Sequence, residues 1–304
     1  MKMKKFISLL AVTTMVAGMA VGCGNSASSD SSDAASTKDS AEASADWDSS
    51  SDITIVSRED GSGTRGAFTE LLGIAVDDVD NTIDTAEITN STAVMLTTVS
   101  GNTNAIGYVS LGSLSSDVKA VKVDGVEPSV EDIKNGSYAV SRPFNIVTKA
   151  EVSDLAKDFI TYIESSDGQA VIEDEGYISS NENAQPYTAT NLNGTITIAG
   201  STSVAPVMEV LADDYMKLNG GVTIEIQQTG SSAGITSTIE GVCDIGMASR
   251  ELKDSETSQG VSSQVIAIDG IAIIVNNNNT VDTLSAEQIK DIYTGAITTW
   301  SEVK

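Results

Sequence analysis

Three times along this 304-residue chain a short β-prone run ends in a glycine–hydroxyl cluster that opens a helical pattern. The three junctions are Gly61-Ser62-Gly63-Thr64, Gly200-Ser201-Thr202-Ser203 and Gly230-Ser231-Ser232-Ala233-Gly234. A strand that turns directly into a helix is the building block of layered α/β architectures, so the junctions predict that fold class. The rest of the pattern agrees. Strands are expected at 53–57, 105–111, 118–123 and 144–148, with helices at 64–72, 129–135, 152–164 and 169–175. The polar stretch 179–193 breaks the rhythm, and a second series follows: strands at 195–199, 222–226, 244–248, 265–268 and 271–275. Its helices carry Val204, Val207, Leu211 and Tyr215 at helical spacing, and then 286–293.

The first 22 residues read as a secretory signal peptide: Lys2, Lys4 and Lys5 precede an apolar run that ends in Ala20-Val21-Gly22-Cys23. Small residues directly before a cysteine are what lipoprotein processing requires, so Cys23 is the expected lipidation site. Residues 23–51 are Ser, Ala, Asp and Gly with almost nothing to bury, and a tether is expected there. These features imply an extracytoplasmic protein, held to the outer face of the cell membrane through a lipid anchor alone. The other cysteine, Cys243, leaves no pair for an internal disulfide and reads as a small core residue.

The formal charge of −26 argues against nucleic acid, which needs a basic footprint. It does not argue against a small anion, because salt screens exposed charge beyond about 10 Å. The chain has no histidine, which removes Ser-His-Asp catalysis and most zinc chemistry. No cofactor, metal or catalytic residue is expected.

Each glycine–hydroxyl junction taken singly is an ordinary helix N-cap. Three in one chain, with Arg58 just ahead of the first, point to convergence on a tetrahedral oxyanion. Unpaired amides at helix starts and the forked donors of an arginine are suited to such a ligand. Gly61 to Gly66 also spells the G-x-G-x-x-G of dinucleotide sites, but Asp77, Asp78 and Asp80 stand before any second strand, so the required βαβ context is missing.

Longer segments carry a specific resemblance. Ile55-Val-Ser-Arg-Glu-Asp-Gly-Ser-Gly-Thr-Arg-Gly-Ala-Phe68 resembles the phosphate-site segment of the periplasmic-type phosphate-binding proteins of ABC importers. Ile198-Ala-Gly-Ser-Thr-Ser203, Thr229-Gly-Ser-Ser-Ala-Gly234 and Ile245-Gly-Met-Ala-Ser-Arg-Glu-Leu252 are similar to that family's other ligand loops. Asp291-Ile-Tyr-Thr-Gly-Ala296 and Thr299-Trp-Ser-Glu-Val303 match its helix and tryptophan turn. The order differs: residues 53–178 resemble the family's second half and 194–304 its first, as in a circular permutation.

The resemblance implies a two-lobed, type II periplasmic-binding-protein-like fold with the ligand in a cleft between lobes joined by two crossing strands. One lobe would be 52–142 plus 276–304 and the other 144–274, with 179–193 as connector inside the second. It implies a monomer that captures inorganic phosphate and docks onto ABC permease subunits. Carried over by position, Arg58, Ser62, Gly63, Thr64, Thr202, Ser203, Ser231 and Ser249 would contact phosphate, and Asp60 would orient Arg58. Where well-known members place an aspartate that accepts the phosphate proton, this chain has Ser249-Arg250. Asp269, near a crossing, would supply that acceptor. The alternatives are a binder or sensor of another oxyanion such as sulfate and, further off, a phosphatase-like hydrolase using a cleft serine.

Overall fold

In the computed structural model, which describes residues 47–77 and 79–303, the chain is organised by two long antiparallel strands that serve two cores. The expected signal peptide, Cys23 and nearly all of the tether lie outside the described residues. In chain order the first elements are β1 (Thr54–Arg58), α1 (Gly63–Leu71), β2 (Ala75–Val76), β3 (Val79–Asp80), β4 (Glu87–Thr89), α2 (Thr92–Gly101), β5 (Ala105–Ser110) and β6 (Val118–Val123). Then come α3 (Val130–Lys134), β7 (Ser141–Lys149), α4 (Asp154–Glu164), α5 (Ser166–Asp174) and β8 (Ile178–Ser179). The last are β9 (Asn193–Gly200), α6 (Ala205–Leu218), β10 (Gly221–Gln228), α7 (Ser231–Glu240), β11 (Ile245–Ala248), α8 (Asp254–Thr257), β12 (Val261–Asn276), β13 (Thr283–Leu284) and α9 (Ala286–Tyr293).

Eleven of the strands form one mixed sheet, in the order β10-β9-β11-β7-β12-β5-β1-β4 with β6, β8 and β13 attached through β12 and β6, while β2 and β3 pair only with each other. The α/β expectation holds, and the arrangement is the two-lobed one. One core packs Phe144, Phe159, Leu211, Tyr215 and Met247 around β9 and β11. The other packs Phe68, Tyr108, Ile273, Tyr293 and Trp300 around β1 and β5. In the second, Phe68 stacks on Tyr108 at 3.9 Å between centroids and meets Tyr293 edge-on at 4.7 Å. Such pairs add about 0.5–1.5 kcal/mol each beyond the area they bury. Serine caps start many of the helices: Ser62, Ser91, Ser129, Ser153, Ser165 and Ser285 each accept an amide from the first turn.

β12 departs from the two strands expected at 265–268 and 271–275. Asp269-Gly270 reads as an interruption, yet the strand runs through it. Arg142 lies directly across the ladder from Asp269 and pairs with its carboxylate, and a Cβ on Gly270 would come within 2.5 Å of Ile133. The helix α2 had no expectation at all. Its Thr, Val and Ser content is poor in helix formers, and only Thr92, Met95 and Val99 are buried on it.

Residues 51–53 pair with 298–300: Ile53 donates its amide to Thr298 O at 2.8 Å, and Asp52 bridges Thr299. The irregular stretch after β8 is fastened to the other core. Tyr187, Thr190 and Tyr215 all donate to one carboxylate oxygen of Asp158, at 2.6, 2.9 and 2.7 Å. Cys243 is buried, as expected of a core residue.

At Gly234, on α7, an added Cβ would sit 2.4 Å from Gly200 Cα and 2.5 Å from Ala199 O, both backbone. Gly234→Ala should therefore destabilise the fold by about 1–3 kcal/mol or more, since backbone must shift. Urea unfolding would read this as a lower midpoint at unchanged slope.

Candidate functional site

The site is built where the carboxyl ends of strands in both cores release their chains. β1 ends in Arg58, whose side chain is only 2% exposed and turns inward from the last strand position. Its Nε and Nη2 fork onto Glu59 at 2.8 and 2.9 Å, and Nη2 also donates to Thr202 Oγ1 of the opposite core at 3.0 Å. The turn then passes through Gly61, at φ +82°, to Ser62, which caps α1 by accepting Arg65 N.

At Gly63 the two cores approach closely. A Cβ there would lie 2.4 Å from Ser231 Oγ and 2.6 Å from Ser249 Oγ, so only glycine lets this backbone pass. Nearby, Ser232 donates its amide to Gly61 O at 3.0 Å. The facing loops are held by equally tight backbone packing: Gly200, at φ +144°, would put a Cβ 2.2 Å from Met247 O. Its carbonyl accepts the amides of Thr229 and Gly230.

The side chains between the cores are nearly all hydroxyls. Ser201 Oγ donates to Ser249 Oγ at 2.9 Å, and Ser231 Oγ lies 3.3 Å from Ser249 Oγ and accepts the Ser249 amide at 3.1 Å. Thr64 Oγ1 and Ser203 Oγ are 2.8 Å apart. Arg58, Ser62, Gly63, Thr64, Thr202, Ser203, Ser231 and Ser249 thus come together from four separate stretches of chain. A cavity of ≈ 390 Å³, lined by Ser62, Arg65, Ser232 and Arg250 among others, opens beside them.

Two sequence expectations need correction. Asp60 does not orient Arg58: its carboxylate is fully exposed and reaches Arg65 Nη1 at 3.2 Å. Glu59 takes the role instead. Its amide is tied to Thr89 O, which folds its side chain back along the arginine, while Asp60 is carried outward by the turn at Gly61. Asp269 does not reach the hydroxyl cluster. Its Oδ1 accepts from Ser110 at 2.8 Å and its Oδ2 accepts from Arg142 Nε and Nη2 at 3.3 and 3.1 Å. Arg142 in turn donates to Ser249 O at 3.2 Å, so the ion pair stands one layer behind the site.

Arg250 is likewise occupied, forked onto Glu256 at 2.8 and 2.7 Å and donating to Ser232 Oγ at 3.0 Å. Burial works against the Glu256 carboxylate, but Arg250 and the Lys253 amide hold its pKa below the usual value. Sequence reasoning missed Glu59 because its neighbour Asp60 sits where the family resemblance places the carboxylate. It also missed Thr92, which enters the cluster from the unexpected α2 and lies 3.4 Å from Thr202 Oγ1 and 3.3 Å from Ser203 Oγ.

Clustered hydroxyl donors around the buried Arg58, between two α/β lobes, are the makings of a binding site for a small oxyanion. Among the described residues no group of three or more acidic or cysteine side chains could hold a metal. The PBP superfamily domain model matches residues 19–167 and 185–304. The phosphate-binding protein PstS 2 of Streptococcus agalactiae is 52% identical, with 100% of this chain and 99% of that protein aligned. A crystal structure of a phosphate-binding protein of a phosphate ABC transporter from Streptococcus pneumoniae is 47% identical. It matches with a TM-score of 0.68, over 84% of this chain and all of that one. PstS of Bacillus subtilis is 34% identical over 128 residues, 41% of either chain. The chain belongs to the PBP superfamily and, within it, to the PstS-type proteins.

Burial pushes the Asp269 carboxyl up to about 6, above the usual carboxylate range, against the opposing pull of Arg142 and Ser110. A raised folded-state pKa means stability that is present at low pH and lost as pH rises through the folded value. Relative to Asp269→Asn, which has no carboxyl to ionise there, the parent should therefore lose stability as pH rises from about 4 to about 6, as read by urea unfolding across that range.

Proposed function

We propose that this protein captures inorganic phosphate outside the cytoplasm and delivers it to an ABC importer. The observation that carries this is the closure of Arg58 and the glycine–hydroxyl loops of both cores onto one another. The full-length PstS-type relatives support it. A buried guanidinium and a shell of hydroxyl donors suit a tetrahedral dianion, because each anion oxygen accepts several hydrogen bonds and the charge is met without a metal. Binding is reversible and breaks no bond. Arg58, Ser62, Gly63, Thr64, Thr202, Ser203, Ser231 and Ser249 are the proposed contacts.

Within the proposal the lobes are 52–142 with 276–304, and 144–274, and they open and close about β7 and β12 near Arg142 and Asp269. The partners are the permease subunits, and acylated Cys23 holds the monomer to the outer face of the membrane by a flexible tether. The order of the halves is a circular permutation relative to relatives such as the Bacillus subtilis protein. A match confined to 41% of either chain is what a swapped order leaves in a collinear comparison. The pairing of residues 51–53 with 298–300 puts the joined ends side by side.

Calorimetric titration with phosphate tests the reading. Arg58→Ala removes charge-assisted donors and leaves Glu59 unpaired, at a cost of about 2–4 kcal/mol, or roughly 30- to 1,000-fold in Kd. Affinity within a few-fold of the parent would show the site to be elsewhere.

The permutation is checked by reversing it. A chain opened between Glu182 and Asn183, both exposed, with residue 303 joined to 51 by a short linker, should fold and bind phosphate like the parent. An unfolded product would count against it.

A further inference from the structure

Thr92 is not among the proposed contacts, yet its hydroxyl links the two pairs that cross the cleft, Arg58–Thr202 and Thr64–Ser203. From Arg58 Nη2 the hydrogen bonds run to Thr202 Oγ1 at 3.0 Å, then to Thr92 Oγ1 at 3.4 Å. They continue to Ser203 Oγ at 3.3 Å, and to Thr64 Oγ1 at 2.8 Å. Arg58, Thr64 and Thr92 come from one core and Thr202 and Ser203 from the other. Removing Thr92 cuts this run into two pieces.

We propose that the Thr92 hydroxyl is a direct phosphate donor and completes the binding shell from the α2 side. This rests on the phosphate reading of the site. Three features favour it. First, Thr92 is buried, 6% exposed, so a hydroxyl here bears the cost of desolvation and needs a partner. Second, its two contacts are long for O–H···O bonds, which centre near 2.7–2.8 Å. The Thr64–Ser203 and Ser201–Ser249 pairs, at 2.8 and 2.9 Å, are close to that optimum. Thr92 is therefore loosely held between two hydroxyls, in a place from which it can turn its proton to an acceptor lying among them. Third, Ser91 rather than Thr92 caps α2, accepting the Val94 amide. The Thr92 side chain is thus not consumed by the helix start.

Arg58 has capacity for the same acceptor. Its Nε and Nη2 are committed to Glu59 and Thr202, and its Nη1 makes no hydrogen bond among the described residues. An oxyanion that takes Nη1 on one side can take Thr92 and its two hydroxyl neighbours on the other.

Thr92→Val keeps the shape and deletes the donor. Titrated with inorganic phosphate, it should bind roughly 10- to 100-fold more weakly, the loss expected for an uncharged donor to a charged acceptor. Thr92→Ser should recover most of that loss, and Thr97→Val, on the exposed face of the same helix, should match the parent. Unfolding midpoints taken with and without phosphate separate binding from folding: the phosphate-induced rise should shrink for Thr92→Val whatever its ligand-free midpoint. If Arg58→Ala loses affinity while Thr92→Val keeps it within twofold and keeps the full phosphate-induced rise, Thr92 is not a contact and the phosphate site stands. If neither variant weakens binding, the site reading itself falls. A Thr92→Ser variant as weak as Thr92→Val would show that the methyl packing, and not the hydroxyl, matters, and would overturn the proposal.

Discussion

The ion pair between Arg142 and Asp269 is the interaction on which the arrangement of the two cores depends. It bridges β7 and β12 at the level where both strands leave one core for the other, and both side chains are almost wholly buried. Two buried charges are expensive to desolvate, and a pair like this adds little net stability over well-packed apolar residues. What it supplies is position. Asp269 also takes Ser110 at the end of β5, and Arg142 also reaches the carbonyl of Ser249. One charged pair therefore refers a strand end of each core to the same point, and removing either partner leaves a buried charge without compensation.

The site in front of that pair follows from how closely two backbones can approach. Hydroxyls and glycines dominate because the space between the loops admits little else. Gly63 has no room for a methyl group against Ser231 and Ser249, and Gly200 has none against Met247. Serine and threonine hydroxyls are small, rotate to suit an acceptor and can satisfy one another across the cleft. A single guanidinium set by Glu59 then provides the charge. This division of labour explains how a chain with a formal charge of −26 carries an anion site: the acids are mostly on the surface, and the cation is inside.

Most of the regular structure was legible in residue order. β6 and α9 coincide with their expected ranges, and several other elements shift by only a residue or two, because each combines a clear hydrophobic period with a capping or breaking residue at its ends. α2 was illegible because its threonines and valines carry no helical preference and its buried face is narrow. The unity of β12 was illegible for a different reason. Asp269-Gly270 looks like punctuation unless one knows that an arginine 127 positions away lies across the ladder.

The sequence by itself determined the α/β class, the glycine–hydroxyl junctions and the arginine ahead of the first of them. Those depend on local preferences: which residues bend tightly, which cap helices and which pack on a strand. Only the tertiary structure decided which carboxylate serves Arg58, that Asp269 belongs to Arg142, and that Thr92 stands among the hydroxyls between the cores. Each of these is a choice between candidates of the same chemistry, Glu59 or Asp60, one buried partner or another, one threonine among many. Residue type cannot rank them, because the deciding quantity is distance in space, which is set by how the two cores meet.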